Sequence, residues 1–183
     1  TSELERAHAT LVAILSQQHR TGVFQHEEGS IRYKKWVRVS NRRSSDDLPI
    51  FSTELLNERY YGSLQGMKKD EANKKYGKEQ VFKWRRGFTE KPPGGGESLE
   101  DAYKRMLPYH KKRVEKSVIE KKNVLLVGHG NTLRALMMHL EKFSKQDMPF
   151  LDLPHGKPII YSYKRKKWIC ENPDVYSFIR QLR

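Results

Sequence analysis

A histidine between two glycines directly follows the most apolar run of the sequence. Val124–Val127 leads into Gly128, His129 and Gly130. If the run is a buried strand and a helix begins just after it, His129 lies at the carboxyl edge of a parallel sheet, where open α/β sheets bind ligands. The free N–H groups that start the helix favour a phosphate. The pattern therefore indicates a phosphate site, although a turn histidine that only satisfies backbone groups would show the same pattern.

Two short segments place aromatic residues among positive charges, at Arg32–Trp36 and at Tyr163–Trp168. Such segments can hold a nucleic-acid backbone and stack a base. A charged run is also a common way to keep a surface solvated. Nucleic-acid contact is therefore one of two interpretations of these segments.

The composition limits the classes of function. Lys and Arg number 36 against 22 Asp and Glu, a net charge of +14 that favours polyanionic partners. The single Cys170 excludes an intrachain disulfide and a cysteine-rich zinc site, and no metal site is predicted. No apolar run approaches the roughly 18 residues of a membrane span, and no secretory signal opens the chain. The expected compartment is intracellular.

The periodicity of apolar residues predicts alternating helices and strands. Helices are predicted over 1–18, 68–88, 98–120, 132–141 and 174–182, and strands over 123–128, 157–163 and 167–170. Ser2 and Glu5 have the spacing of a capping box, and Pro108 should kink its helix. Residues 17–50 are expected to be a basic insertion that contains a short hairpin at 36–39. The alternation predicts an α/β sandwich.

Six segments, taken in chain order, resemble the motifs of one enzyme family. They are Thr1–Ala7, Leu56–Gly66, Tyr76–Arg86, Pro92–Leu99, Val127–Ala135 and Leu153–Ile159. Together they identify the chain as similar to the cofactor-dependent phosphoglycerate mutases of the histidine phosphatase superfamily. The resemblance covers nearly everything except residues 17–50 and about the last fifteen.

The resemblance implies a fold and a reaction. The fold is a three-layer α/β sandwich with a mostly parallel sheet, in a single domain over 1–183. The family transfers a phosphoryl group through a phosphohistidine and interconverts 3- and 2-phosphoglycerate. It uses 2,3-bisphosphoglycerate as primer and holds no permanently bound cofactor. The expected ligand is thus a small phosphorylated substrate.

The resemblance also implies roles for individual residues. Glu58 would be the general acid/base, His129 would stabilise the transferring phosphoryl group, and Arg6 would bind that group. The substrate's carboxylate and phosphate would be held by Tyr61, Lys69, Arg85, Arg86, Gly130 and Asn131. Such a polyanion suits guanidinium and amide donors.

The same residue types have ordinary structural interpretations. Glu58 could pair with Arg59 or a lysine on the surface, and Arg85 and Arg86 could belong to a solvated helix face. Lys69 is one of many lysines. The histidines interpreted as structural or surface residues are His8, His19, His26, His110 and His139.

The nucleophile of the family is the histidine of an Arg-His-Gly motif at the end of its first strand. That strand and its helix would precede the position that matches Thr1, so the fold is expected to lack both here. None of the seven histidines stands between Arg and Gly. Without that group these residues can bind or polarise a phosphate but form no phosphohistidine.

Two hypotheses of different class follow. The first is a phosphoglycerate mutase-like enzyme, or the larger part of one, cytoplasmic in location. The second is a non-catalytic structural or interaction subunit of a larger, mitochondrial assembly, which retains the fold and binds protein partners. A broad-specificity phosphatase of the same superfamily is a third, less favoured reading, because the 58–61 and 84–86 segments match mutases better.

Overall fold

The structure is a computed structural model that describes residues 1–25 and 46–178 of the 183-residue chain. The described residues form two compact units. The first contains residues of 1–57 together with 126–128, and the second contains those of 58–125 and 129–178. The predicted hairpin at 36–39 and the basic segment at 32–36 lie outside the described residues. The single domain with a basic insertion at about 17–50 stays a prediction.

The first helix of the first unit, α1, spans Glu5–Leu15. Its apolar face buries Ala7 and Leu11 in a small core with Ile50 and Val127. The predicted capping box does not form, because the helix begins at Glu5 with Leu4 as its N-cap. The Ser2 hydroxyl instead accepts a hydrogen bond of 3.3 Å from the Leu4 N–H.

Two parallel strands complete the first unit. Strand β1 (Thr21–Gln25) pairs with β2 (Asp47–Phe51), with Thr21 opposite Asp47 and Gln25 opposite Phe51. Strand β1 and all of β2 except Phe51 fall within the range predicted to be an insertion. Part of that range is thus regular structure that belongs to the core of this unit.

The strand predicted over 123–128 is wrong. Within the described residues this segment joins no sheet, and Val124 and Leu125 are 41% and 53% exposed. A strand needs hydrogen bonds to a neighbouring strand. The apolar character of a run does not show whether such a neighbour exists. Only Val127 of this run is buried, in the core of the first unit.

The second unit begins with two short helices where one was predicted. Helix α2 spans Lys69–Tyr76 and α3 spans Lys78–Arg86. They are separated by Gly77, whose φ of 83° lies in the left-handed region that suits glycine and interrupts a helix. Leu64, Ala72 and Val81 form the buried core of this part.

The next helix, α4, spans Leu99–Tyr109 and begins with a capping box. The Asp101 N–H donates to the Ser98 hydroxyl at 3.1 Å, and the Ser98 N–H donates to the Asp101 carboxylate at 2.9 Å. Pro108 lies in the last turn, and a π-helical segment follows directly over His110–Glu115. Proline lacks a backbone donor; the kink predicted at Pro108 stays a prediction. Helix α5 (Lys116–Ile119) ends the run.

Helix α6 spans Gly130–Glu141, packs on α4, and begins where the sequence predicted, within two residues. Its buried face includes Thr132, Ala135, Met137 and Leu140. A short hairpin, also in contact with α6, is formed by β4 (Tyr161–Lys164) and β5 (Lys167–Cys170).

The closing helix predicted over 174–182 is wrong for its described residues, 174–178. A 3₁₀ turn spans Pro173–Val175 and is followed by strand β6 (Ser177–Phe178), which pairs antiparallel with β3 (Leu151–Asp152). Residues 179–183 lie outside the described part. The α/β class is confirmed, but the described strands form three separate pairs, one parallel and two antiparallel, where a mostly parallel sheet was expected.

Candidate active site

The loop that carries Glu58 is held by the glycine-rich link that precedes α4. Gly62 has a φ of 56°, and a side chain there would collide with the Pro93 carbonyl oxygen. The Ser63 N–H donates to the same oxygen at 2.7 Å, and the Glu97 N–H donates to the Tyr60 carbonyl at 2.8 Å. The backbone of this link therefore fixes the position of residues 60–63.

A buried arginine and an ion pair hold this loop in place. Arg59 is 1% exposed, and its guanidinium donates to the carbonyls of Trp84 at 2.5 Å and Glu97 at 3.3 Å. The Glu97 carboxylate accepts two hydrogen bonds of 3.0 Å from Arg105, and a third of 2.9 Å from the Tyr60 N–H. The structure thus assigns a supporting role to Glu97 and Arg105, which the sequence analysis did not single out.

Glu58 is half-buried, and both of its carboxylate oxygens accept hydrogen bonds from backbone donors. One oxygen accepts from the Arg59 N–H at 2.8 Å, and the other from the Asn131 N–H at 3.5 Å. The bond from Arg59 comes from its backbone N–H and not from the guanidinium, which donates to the Trp84 and Glu97 carbonyls, so it is not the surface ion pair considered in the sequence analysis. The carboxylate is therefore oriented toward the start of α6.

Asn131, Tyr61 and Arg85 form a second set of contacts beside Glu58. The Asn131 side-chain amide donates to the Tyr61 hydroxyl at 2.8 Å. The guanidinium carbons of Arg85 and Arg59 lie 5.3 and 4.7 Å from the centroid of the Tyr61 ring. The ring therefore lies within reach of two positive charges, a favourable arrangement for an aromatic face.

His129 is the N-cap of α6, and Gly130 is the first residue of that helix. His129 is 6% exposed and has extended backbone angles, φ −124° and ψ 156°. The first N–H groups of a helix lack intrahelical partners and carry partial positive charge. The start of α6 therefore attracts negative charge, and one of its N–H groups, that of Asn131, donates to Glu58; the anion site stays a prediction.

Three other predicted residues have different settings. Arg6 is an exposed residue of α1 in the first unit, and Lys69 is the exposed first residue of α2. The Arg86 guanidinium donates to the carbonyls of Pro149 and Leu151, each at 2.9 Å, and to Asp152 at 3.4 Å. Arg86 therefore uses three of its five N–H groups to hold Pro149 and the two residues of β3.

Arg134 is a residue of this region that the sequence analysis quoted without a role. It is 3% exposed, and it donates to the Asn131 side-chain oxygen at 2.9 Å and to the Arg86 carbonyl at 3.2 Å. It also donates to the Met148 carbonyl. Burial, followed by the charges of Arg86 and Arg59, lowers the pKa of Arg134 to about 9. The sequence feature that could have identified Arg134 is a positively charged residue one helical turn after Asn131.

A shallow groove of about 340 Å³ lies elsewhere on the second unit, with Phe82, Phe88 and Pro149 on its walls and Lys83 and Lys145 at its edges. It contains none of the predicted site residues. Among residues 1–25 and 46–178, no cluster of three His, Cys, Asp or Glu side chains suits a metal ion. No helix in that same part is long and apolar enough to cross a membrane.

The contacts around Glu58 define what the site can do. A carboxylate can accept and return a proton. The amide of Asn131, the hydroxyl of Tyr61, the Arg85 guanidinium and the N-terminus of α6 can together bind an anion with several oxygens. The arrangement suits proton transfer next to a bound phosphorylated or carboxylated ligand.

The chain resembles known proteins over most of its length. A sequence profile described as the histidine phosphatase superfamily (branch 1) matches residues 37–174. A 2,3-bisphosphoglycerate-dependent phosphoglycerate mutase of Methanosarcina acetivorans is 42% identical, over 96% of this chain and 76% of that protein. The protein of the same name in Cytophaga hutchinsonii is 50% identical over 65% of this chain and 55% of its own length. The chain thus spans about three quarters and about half of these two relatives.

The fold also matches solved structures. A mycobacterial glucosyl-3-phosphoglycerate phosphatase in complex with VO3 superposes with a TM-score of 0.67 at 22% identity, over 93% of this chain and 71% of that one. At this identity the likeness concerns the fold alone, and it confirms the predicted phosphoglycerate mutase-like fold. From the superfamily profile and the curated relatives, the chain belongs to the 2,3-bisphosphoglycerate-dependent phosphoglycerate mutases of the histidine phosphatase superfamily.

Proposed function

We propose that this chain supplies the proton-transfer and anion-binding groups of a phosphoglycerate mutase that interconverts 3- and 2-phosphoglycerate. The observation that carries the proposal is the connected set Glu58–Asn131–Tyr61 at the start of α6. Relatives named 2,3-bisphosphoglycerate-dependent phosphoglycerate mutase, at 42% identity over 96% of the chain, support this choice of substrate.

Glu58 is the general acid/base in this proposal. Its side chain accepts only backbone hydrogen bonds in the contacts described above, so each oxygen keeps a lone pair for a substrate hydroxyl. As an acid/base it takes the proton of the hydroxyl that receives the phosphoryl group and returns it in the reverse direction. A positioned carboxylate contributes on the order of 100- to 10,000-fold to such a step.

The anionic parts of the substrate are assigned to the donors around Glu58. Asn131, Gly130 and Tyr61 offer amide, backbone and hydroxyl donors, and Arg85 offers a guanidinium fork. His129 is proposed to stabilise the transferring phosphoryl group. We retain Arg6 and Lys69 as proposed phosphate ligands on the strength of the family resemblance alone. Arg86, with three N–H groups committed to protein acceptors, has two left for substrate.

The donor set also fits 2,3-bisphosphoglycerate, whose three anionic groups need several cationic and amide donors. The residues that would hold it are Asn131, Arg85 and the N-terminal N–H groups of α6, close to the buried charge of Arg134. When bound, this primer supplies the phosphoryl group that a mutase of this family requires. The role of the chain itself is to bind and orient that ligand and to move a proton at Glu58.

A second candidate is a non-catalytic subunit that keeps the fold and the anion site. The observation that favours it is that none of the seven histidines in these residues lies between Arg and Gly. The same observation limits the first proposal, which assigns binding and proton transfer to this chain and leaves the nucleophile unassigned. Protein partners belong to this second candidate.

A single assay separates the two candidates. The protein purified from its native source is incubated with ¹³C-labelled 3-phosphoglycerate and 2,3-bisphosphoglycerate, and the products are followed by NMR. The mutase proposal predicts that 2-phosphoglycerate accumulates to its equilibrium level and depends on the primer. Tight binding of 3-phosphoglycerate without conversion would favour the non-catalytic subunit, and free phosphate as the main product would indicate a phosphatase.

A further inference from the structure

We propose that Arg134 is a positioning residue of the anion site: it fixes the side-chain amide of Asn131 and places a buried positive charge behind it. The part of this proposal that names 3-phosphoglycerate as the anion rests on the proposed function. It concerns a residue to which the sequence motifs assigned no role.

The hydrogen bonds of Arg134 determine which way the Asn131 amide points. One guanidinium nitrogen donates to the Asn131 oxygen at 2.9 Å, and the amide nitrogen of Asn131 donates to the Tyr61 hydroxyl at 2.8 Å. If the amide were rotated by 180°, its N–H₂ group would face a guanidinium, which has no acceptor. Arg134 therefore excludes that orientation and aims the N–H₂ group of Asn131 at Tyr61 and the site.

Arg134 also carries its charge in an unusual setting. Its acceptors are the oxygens of Asn131, Arg86 and Met148, and within residues 1–25 and 46–178 it makes no ion pair with a carboxylate. Its Nε is buried and has no hydrogen-bond partner in the same part of the chain. Burying a charge is costly, and burial lowers the pKa of Arg134, an effect that the nearby charge of Glu58 offsets only in part. A bound anion at Asn131 would add a further negative charge close to this guanidinium.

A purely structural role is the alternative to be tested. The bonds of Arg134 to the carbonyls of Arg86 and Met148 join α3, α6 and the segment before β3. If that were the whole role, substitution would lower stability and leave the Asn131 amide and its coupling to anion binding unchanged.

The experiment compares Arg134→Met and Arg134→Lys with Lys142→Met, which removes the same charge from the exposed C-terminal end of α6. The first readout needs no ligand. The ¹⁵N side-chain amide signals of Asn131, identified by their loss in Asn131→Ala, are followed for chemical shift and hydrogen exchange. We expect slow exchange in the wild type and in Lys142→Met, and at least tenfold faster exchange in Arg134→Met. Unchanged signals in Arg134→Met would overturn the positioning role whatever the ligand is.

The second readout is the affinity for 3-phosphoglycerate and for inorganic phosphate by calorimetry. Arg134→Met should weaken both about 10- to 100-fold, the scale of a lost charge-assisted hydrogen bond. Arg134→Lys should recover part of the loss because it keeps the charge. In the double variant with Asn131→Ala, the losses should be far from multiplicative, since both act on one amide. Multiplicative losses would overturn the proposal.

The two readouts also separate this proposal from the proposed function. If the amide responds as expected while the wild type binds phosphate but not 3-phosphoglycerate, the positioning role stands and the substrate assignment fails. If circular dichroism shows that Arg134→Met does not fold, the side-chain amide signals of Asn131 are compared between Arg134→Lys and the wild type instead. If Arg134→Met binds inorganic phosphate and 3-phosphoglycerate as tightly as the wild type does, the electrostatic part of the proposal is overturned.

Discussion

One carboxylate oxygen of Glu58 lies 3.5 Å from the backbone nitrogen of Asn131, a residue 73 positions later in the chain. This hydrogen bond joins the loop that carries the proposed acid/base to the start of α6. The helix N-terminus carries partial positive charge and attracts a carboxylate held there. A substrate anion that binds the same N–H groups would compete for this bond and release Glu58 toward the substrate hydroxyl.

The first prediction concerns the proton-transfer role of Glu58. In the native full-length protein, Glu58→Gln should lower kcat by roughly 100-fold or more and leave KM within a few fold, because the amide keeps the shape but cannot accept the proton. Glu54→Gln, an exposed glutamate on the preceding 3₁₀ turn, is the control. Equal kinetics for Glu58→Gln and the wild type in a coupled assay would remove Glu58 from the mechanism.

The second prediction concerns the hydroxyl of Tyr61. Tyr61→Phe keeps the ring between Arg59 and Arg85 but removes the acceptor of the Asn131 amide, and it should weaken 3-phosphoglycerate binding about fivefold, the scale of one hydrogen bond. Tyr60→Phe is the matched control, since Tyr60 is 51% exposed. Calorimetry of the two variants measures this difference, and a loss of the same size in both would contradict the assignment.

The third prediction concerns the ion pair between Glu97 and Arg105. Glu97→Gln should lower the free energy of unfolding by about 1–2 kcal/mol, because it weakens two bonds from Arg105 and one from the Tyr60 N–H in a partly buried site. Glu100→Gln, which breaks the more exposed pairs with Lys104 and Lys145, should cost less than about 1 kcal/mol. Urea unfolding of both variants is the measurement. Equal losses would show that the Glu97 pair does not brace the loop.

The fourth prediction concerns pH and the buried His110. Burial, then the charges of His139 and Lys111, lowers the pKa of His110 to about 4. In the unfolded chain it titrates near 6.5, so below that pH the unfolded state binds a proton that the folded state does not. Stability is therefore full above about pH 6.5 and falls as the pH decreases toward 4, by about 2 kcal/mol between pH 7 and 5.

Two variants check the origin of that loss. His110→Gln should show a smaller decrease in the free energy of unfolding between pH 7 and 5 than the wild type. His155→Gln, at an exposed position, should show the wild-type decrease. If the His110 and His155 variants lose stability equally with acid, the pH dependence has another source.

The sequence correctly predicted those parts of the structure that are determined by residues close together in the chain. The start of α6 near Gly130 depends on neighbours in sequence and appears as predicted to within two residues. The helix predicted from position 98 likewise begins at Leu99, where the structure adds a capping box between Ser98 and Asp101. Gly77 was a local signal that the single predicted helix over 68–88 overlooked, because the flanking residues are good helix formers.

The errors arise where a distant partner decides the structure. Residues 123–128 have the apolar character of a strand, but a strand depends on hydrogen bonds from elsewhere in the chain. Likewise, the sequence could not show that Arg86 binds carbonyls 63 to 65 residues away or that Arg134 is buried. A charged residue in a helix usually faces solvent, so the position of Arg134 behind Asn131 required the structure.

The most direct test of the account is a calorimetric titration of 3-phosphoglycerate into the wild-type protein and into Asn131→Ala, with Asn123→Ala, an exposed asparagine, as control. We predict saturable one-site binding to the wild type and to the Asn123 variant, and binding at least tenfold weaker in Asn131→Ala. Identical affinity in all three proteins, or no binding to the wild type, would contradict the claim that Asn131 and its neighbours form a 3-phosphoglycerate site.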